Sequence, residues 1–178
     1  FTLTDGNGAT SVPSVASIAM NVGGAVNTYV WDGGGDGSNF ADPLNWDANS
    51  GSPDPNDIAI FRDVDSGPVG LGGATVYVGE VRFDGMGSYT LQNGTLGLTT
   101  IDQQAAASGD NVIAAQLSGT VLEGLVSGGS LALTNTSNST SLVGGSWTVN
   151  ADGRLRAAAA ATGSGLGAAT IGMTLNGG

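Results

Sequence analysis

Three residue types are missing from this chain: cysteine, histidine and lysine. Without cysteine there are no disulfide bonds, no thiol nucleophile and no cysteine-based zinc site. Without histidine, a serine nucleophile has no imidazole base. Four arginines stand against 15 acidic residues, and the formal net charge is -11. Nucleic acid and anionic lipid both bind cationic surfaces, so the sequence predicts neither as a partner.

Long apolar runs and paired catalytic acids are also missing. No run approaches the roughly 20 apolar residues that cross a bilayer, so no membrane insertion is expected. Glycoside hydrolysis needs two carboxyl groups at a set separation across a cleft, and the two glutamates, Glu80 and Glu123, lie in no recognisable motif. The sequence therefore predicts a protein that is not an enzyme and has no organic cofactor. A polysaccharide-degrading enzyme on a β-helix is the least favoured alternative.

The residue that the chain has in excess is glycine, with 32 among 178 residues. The glycines show no Gly-X-Y period, which excludes collagen. A disordered chain is poor in apolar residues and rich in charge, whereas here 40% of the residues are hydrophobic and 11% are charged. Short apolar runs broken by Gly, Asn, Asp and Ser are instead typical of an all-β protein with frequent tight turns.

The composition divides the chain into three zones of one continuous domain. Residues 1–28 form a lead-in strand and linker, with a helix over Val15–Met20 as an alternative there. Residues 29–67 form an aromatic and acidic cap region, and 68–178 form a run of solenoid repeats. Strands are predicted where apolar residues alternate between turn signals. They cover Ile58–Phe61, Thr75–Val78, Glu80–Phe83, Ser88–Leu91, Thr95–Thr99, Asn111–Leu117, Thr120–Val126, Ser130–Thr134, Ser146–Val149 and Arg154–Ala157.

A loose repeat indicates how these strands are arranged. Gly94–Thr99 is similar in sequence to Gly129–Thr134, and Gly153–Ala157 is less similar to both. Leu131 and Leu155 are 24 positions apart, close to one turn of a three-sided β-helix. Leu96 and Leu131 are 35 positions apart, so one coil is expected to carry an insertion. Glycine and asparagine suit the corners, since both tolerate a positive φ.

Two sets of segments follow a known order. The upstream set is Trp31–Gly34, Asp36–Ser38, Asn45–Trp46, Asp57–Phe61, Val81–Phe83 and Gly87–Leu91, and the second set is Gly129–Thr134, Asn138–Ser141, Gly144–Leu155, Gly165–Gly167 and Leu175–Gly178. The second set resembles the autotransporter-associated β-strand repeat of exported bacterial proteins, and the upstream set is similar to the opening segment of such proteins. The resemblance covers roughly residues 29–178. It implies a right-handed parallel β-helix, export, and a role as a surface passenger, adhesin or matrix component. Trp147 and the alanine run Ala157–Ala161 depart from the family pattern.

Two clusters in the cap region have a structural and a functional interpretation. Asp32, Asp36 and Asp42 are candidate calcium ligands, because calcium binds several carboxylate and carbonyl oxygens; the alternative is that they cap turns. The aromatic cluster is predicted to plug the first coil of the solenoid, with a sugar-stacking platform as the alternative. Its members are Trp31, Phe40, Trp46 and Phe61.

These observations predict an extracellular or cell-surface structural protein, a subunit or segment of a bacterial filament or matrix. Its expected partner is a further copy of itself, joined head to tail by strand pairing through Phe1, Thr2, Leu3 and Thr4. The alternative is a monomeric adhesin segment that binds a cell-surface or matrix polysaccharide. In the family pattern a strand follows Leu175–Gly178, which indicates a fragment, a processed form, or a subunit completed by its neighbour.

Overall fold

The structure is a computed structural model. It describes residues 24–47, 51–62, 67–104, 109–119, 122–138, 145–160, 163–164, 166 and 172–177. The predicted lead-in strand and the alternative helix over Val15–Met20 lie outside the described residues.

The described chain is built of short strands and one 3-10 turn, Pro43–Asn45. The strands are β1 (Thr28–Val30), β2 (Ile58–Phe61), β3 (Pro68–Gly70), β4 (Thr75–Tyr77), β5 (Glu80–Phe83), β6 (Thr90–Gln92), β7 (Thr95–Gly97), β8 (Thr100–Gln103), β9 (Asp110–Ile113), β10 (Gln116–Ser118), β11 (Leu122–Leu133), β12 (Gly145–Ala157), β13 (Ala159–Ala160), β14 (Gly163–Ser164) and β15 (Gly172–Asn176).

Parallel pairing stacks all of these strands except β13 and β14 into three sheets, which form the sides of a β-solenoid. Strands β13 and β14 pair antiparallel with each other. Sheet A runs β1-β2-β5-β8-β11-β12-β15, sheet B runs β3-β6-β9-β11-β12, and sheet C runs β4-β7-β10. Strands β11 and β12 belong to two sheets because each continues from sheet A around the corner into sheet B. The predicted all-β, parallel solenoid is confirmed.

The coil length agrees with one of the two repeat spacings. Leu131 pairs with Leu155 on the next coil, as the 24-residue spacing predicts. The predicted insertion between Leu96 and Leu131 is wrong, because these residues lie on different sides of the solenoid. Leu96 is in sheet C and pairs with Leu117, whereas Leu131 is in sheet B and pairs with Asn111. The sequence similarity matched two strands that do not stack on each other.

Two predicted strand boundaries also differ from the structure. Asn111–Leu117 was expected as one strand, but a corner at Ala114 and Ala115 divides it between sheets B and C. A small apolar pair gives no sequence signal for a bend. Conversely, β11 and β12 pass through the glycines of the corner between sheets A and B without a break in pairing, apart from a register shift after Val126.

Side chains of equivalent positions stack into ladders inside the solenoid. One ladder of sheet A passes through Ala59, Val81 and Ile101 to Gly124 and Trp147. A ladder of sheet B is formed by the buried side chains of Val69, Leu91, Ile113 and Leu133. Each fully buried aliphatic side chain contributes about 1.5–3 kcal/mol relative to an exposed one. The coils are therefore stable only when stacked, because each covers the apolar edge of its neighbour.

One polar pair interrupts the aliphatic ladders. Gln103 and Asn111 are fully buried, and the Asn111 Nδ2 donates to Gln103 Oε1 at 2.9 Å. Asn111 Oδ1 accepts from the backbone N–H of Tyr89 at 2.9 Å. Because a buried amide without partners costs free energy, this mutual pairing is what makes two amides tolerable in the core.

Trp147 fits its ladder because the paired residue one coil earlier is glycine. A Cβ built on Gly124 would lie 2.0 Å from Trp147 Cε3 and 2.3 Å from Cζ3. The indole is completely buried and occupies the volume that a side chain at Gly124 would need. The large side chain of Trp147 is thus accommodated by the absence of a side chain at Gly124, its partner one coil earlier.

We expect Gly124→Ala to lower the free energy of unfolding by about 1–3 kcal/mol, the usual cost of overpacking a core. In a Trp147→Val background the same substitution should have little effect, because the smaller side chain leaves room for the methyl group. Urea denaturation of the two single variants and the double variant measures this coupling. Gly67→Ala, where an added Cβ meets nothing within 4 Å, is the matched control. Equal costs of Gly124→Ala in both backgrounds would contradict the interpretation.

Candidate functional site

The first end of the solenoid is closed by aromatic side chains. Trp31, Phe40, Trp46 and Phe61 are all buried, with 0% to 1% of each residue exposed. The Trp31 and Trp46 rings meet edge to face with centroids 5.1 Å apart, and Phe40 meets Trp46 at 4.9 Å. Phe61 extends the cluster to Phe83 in the next coil at 5.6 Å. A sugar-stacking platform needs exposed ring faces, and these rings have none, so the alternative interpretation of this cluster is wrong.

Backbone hydrogen bonds fix the segment that carries these rings onto the first coil. Gly70 N–H donates to Ser38 O at 2.7 Å, and Phe40 N–H donates to Gly70 O at 3.0 Å, which pairs the segment with β3. Trp31 N–H donates to Ile60 O at 2.8 Å, and Trp46 Nε1–H donates to Phe40 O at 2.8 Å. The outer edge of β3 is therefore covered at this end.

Asn45 is the centre of the loop that connects Trp31 to Trp46. Its buried side chain accepts from the N–H groups of Gly35 and Gly37 at 3.0 and 2.9 Å, and donates to Asp36 Oδ1 and Asn39 O, both at 2.9 Å. The Asn45 amide thus provides a hydrogen-bond partner for four polar groups of an irregular loop. The glycines of this loop would not hold it in one conformation by themselves. No sequence pattern predicts this role, since an asparagine after Pro-Leu belongs to no known motif.

The three candidate calcium ligands all cap turns in this loop. Asp32 Oδ1 accepts from Gly34 N–H, Asp36 Oδ1 from the N–H groups of Ser38 and Asn39, and Asp42 Oδ1 from Leu44 N–H. Over the residues that the structure describes, no group of three or more Asp, Glu, His or Cys side chains is arranged to hold a metal ion. The turn-capping alternative therefore accounts for their positions, and calcium binding stays a prediction.

Hydrogen bonds from its own loop change the pKa of Asp36. The hydrogen bond from Asn45, followed by those from the backbone of Ser38 and Asn39, lowers the pKa of Asp36 from 3.8 to about 2. These donors favour the charged form. The capping loop is thus stabilised by an ionised carboxylate under neutral conditions.

The last described strand of sheet A, β15, is exposed along its whole length. β15 pairs with β12, and its other edge has no partner strand among the described residues. Met173 and Leu175 continue the inward rows of Trp147 and Val149, yet they are 49% and 70% exposed, because no described coil covers them. We call β15 and its uncovered edge the open end.

A row of polar side chains also reaches the open end. Asn150 Nδ2 donates to Ser127 Oγ at 3.2 Å, and Asn176 Nδ2 donates to Asn150 Oδ1 at 3.2 Å. The row follows the corner between sheets A and B, one residue per coil. Asn176 is exposed, so the row ends with an amide facing solvent.

A groove lies on the outer face of sheet A, with a volume of about 290 Å³. Asp102 is 8% exposed, and its Oδ1 has no hydrogen-bond partner among the described residues, while Oδ2 lies 3.6 Å from Arg82 Nε. The sequence does not predict that Asp102 and Glu123 lie in one groove, because residues of three different coils form it. Its lining residues are Thr100, Asp102, Glu123, Gly124, Leu125, Ser146 and Thr148.

The predicted subunit-contact residues Phe1, Thr2, Leu3 and Thr4 lie outside the described residues. Within the part of the chain that is described, no helix has the length and hydropathy needed to cross a membrane. Comparisons of the chain with protein-family models, with curated proteins and with solved structures found no match.

Acidification should weaken the capping loop in a defined pH range. Because the pKa of Asp36 is about 2 in the folded protein and 3.8 is its ordinary value, the carboxylate stabilises the fold above pH 3.8. That contribution is lost as the pH falls from about 3.8 to about 2. Thermal midpoints of the wild type and of Asp36→Asn should therefore differ by a constant amount above pH 4.5 and converge towards pH 2. Asp152→Asn, on an exposed part of β12, controls for removal of a carboxylate; a difference independent of pH at Asp36 would disprove the assignment.

Proposed function

We propose that this chain is an extracellular structural protein, a subunit or segment of a bacterial surface filament or matrix in which subunits join by β-strand pairing. The observation that supports the proposal is the open end, where β15 has no second partner strand among the described residues. Two exposed apolar side chains there continue the rows of the buried Trp147 and the partly buried Val149. Added strands bind such edges through main-chain hydrogen bonds, and pockets for alternate side chains give specificity.

The difference between the two ends favours a head-to-tail arrangement. The aromatic cluster closes the first end and covers the β3 edge, so the two ends are not self-complementary. Contacts between unlike surfaces generate rings or open filaments, whereas a two-fold dimer requires the same surface on both subunits. A solenoid that stacks end on end preserves the direction of its parallel strands, which gives a filament.

Pairing through a single strand edge is expected to give only weak association between two copies of the chain. Burial of Met173 and Leu175 would contribute about 1.5–3 kcal/mol each, and each net backbone hydrogen bond about 0.5–1.5 kcal/mol. The loss of translational and rotational freedom costs about 4–15 kcal/mol. These terms are similar in size, so assembly is expected to depend strongly on protein concentration.

The proposed location outside a bacterial cell depends on the family resemblance and on composition. A net charge of -11 keeps a repeat protein soluble through self-repulsion between surfaces. The chain contains no cysteine, so its stability is independent of the redox conditions that it meets. Both properties suit a protein exposed to an uncontrolled medium.

A charge placed at the open end should prevent assembly. We expect Leu175→Lys to lower the association constant at least about tenfold, because loss of this burial removes about 1.5–3 kcal/mol. Sedimentation velocity and negative-stain microscopy over a range of concentrations measure the effect. Met86→Lys is the matched control, since Met86 is also an exposed apolar residue, 63% accessible, but follows β5, which three strands of sheet A separate from β15. Wild-type protein that stays monomeric at every concentration would refute the proposed function.

Glycan binding is the second candidate function, and the groove on sheet A is the observation that favours it. Three hydroxyl groups and two carboxylates line the groove, and the unpartnered Asp102 Oδ1 lacks a donor that a sugar hydroxyl would supply. The carboxylates and the net charge disfavour acidic polysaccharides. The ligand class is therefore a neutral polysaccharide of the cell surface or matrix.

Calorimetric titration with neutral hexasaccharides and with oligogalacturonate tests this candidate. We expect binding of a neutral sugar alone, weakened at least fivefold by Asp102→Asn combined with Glu123→Gln. Asp152→Asn should leave the affinity unchanged, because Asp152 lies outside the groove. Preference for the acidic sugar, or equal binding by the double variant, would contradict the candidate.

A further inference from the structure

We propose that the strand bound at the open end is Phe1–Thr4 of a second copy of this chain, in the register that places Phe1 beside Met173, Thr2 beside Thr174, Leu3 beside Leu175 and Thr4 beside Asn176. This inference depends on the proposed function. It adds to it the identity of the bound segment and its alignment with β15.

The first support is a pattern shared by successive strands of sheet A. Trp147-Thr148-Val149-Asn150 pairs residue by residue with Met173-Thr174-Leu175-Asn176. Both segments read apolar, threonine, apolar, asparagine, and Phe1-Thr2-Leu3-Thr4 continues the pattern with a hydroxyl in place of the last amide. In sheet A, therefore, the order of side chains in Phe1–Thr4 matches that of the two strands on which it would stack.

The second support is what each position of the pattern does in the structure. The first position belongs to the row of Trp147, which is buried, and the third to the row of Val149, which packs against the core. Phe1 and Leu3 would continue these rows and cover Met173 and Leu175. The fourth position belongs to the row of Ser127, Asn150 and Asn176, and Thr4 would provide a hydroxyl for the exposed amide.

Other registers fit less well. A shift by one residue would turn Phe1 and Leu3 to the outer face of the sheet, since side chains alternate along a strand. A shift by two in one direction would place Asp5 over Leu175, which would bury a carboxylate against an apolar side chain. A shift by two in the other direction would leave Met173 uncovered by these four residues. In the proposed register the two apolar rows continue with apolar side chains and the polar row continues with a polar side chain.

Engineered cysteines test the register directly, because the natural chain contains none. Thr2→Cys and Thr174→Cys are made in separate chains, which are mixed and oxidised, so that a disulfide joins two copies. Directly paired parallel strands lie about 4.8 Å apart, within the Cα separation of about 4.4–6.8 Å that a disulfide accepts. Gly172→Cys is the matched off-register partner, two residues away on the same face of β15. Thr148→Cys with Thr174→Cys in one chain is the positive control, since these residues pair within the chain.

We expect covalent dimers from the Thr2→Cys and Thr174→Cys mixture at five or more times the yield with Gly172→Cys. Preferred cross-linking to Gly172→Cys, or equal yields, in a protein that still assembles would overturn the register and leave the proposed function intact. A chain that carries both Thr2→Cys and Thr174→Cys separates the two sources of the strand, because a monomeric disulfide would show that the segment returns to its own β15. Absence of both cross-links and assembly would overturn both proposals.

Discussion

Stacking of one coil on the next is the interaction on which the rest of this structure depends. A three-sided coil has an apolar interior but no neighbour within itself to cover the edges of that interior. The ladder from Ala59 to Trp147 therefore exists only because each strand of sheet A has a strand above and below it. At both ends of any such stack the apolar interior of the last coil lacks a neighbouring coil to cover it, and the two ends of this chain differ in how it is covered. Aromatic rings close the first end, whereas the last end keeps its apolar row exposed.

Stacking also explains why the composition is so unusual. Side-chain volume must be conserved along the solenoid axis, so Gly124 accompanies Trp147. Charged groups repeated at equivalent positions would repel one another, and the few arginines offset this between coils. Arg62 contacts Asp84, Arg82 contacts Asp102, and Arg156 contacts Asp110. Each of these half-exposed pairs contributes at most about 1 kcal/mol, so they adjust the stacking rather than cause it.

The fold was predictable from sequence to the extent that it depends on local alternation. Period-two apolar runs between turn residues identified β2, β5 and the parts of β11 and β12 that lie in sheet A, but not β1, β8 or β15. The 24-residue spacing of Leu131 and Leu155 identified a coil. The assignment of strands to sides was not predictable, because strands of sheets B and C have similar patterns; the match of Leu96 with Leu131 failed for that reason. The groove depends on residues that three coils bring together, and the function of Asn45 depends on the folded shape of its own loop. Local sequence patterns carry no information about either.

An exposed strand edge is a hazard, and at the last described coil sheets A and B limit it in different ways. In sheet B the last coil ends with Arg154 and Arg156, which are exposed, and charge on an edge strand opposes unspecific pairing. Sheet A ends instead with Met173 and Leu175 beside the amide of Asn176. An incoming strand must therefore offer two apolar side chains on one face and a polar group at the corner, in one register. A short edge with this mixed chemistry selects its partner, which a uniformly apolar edge would not do.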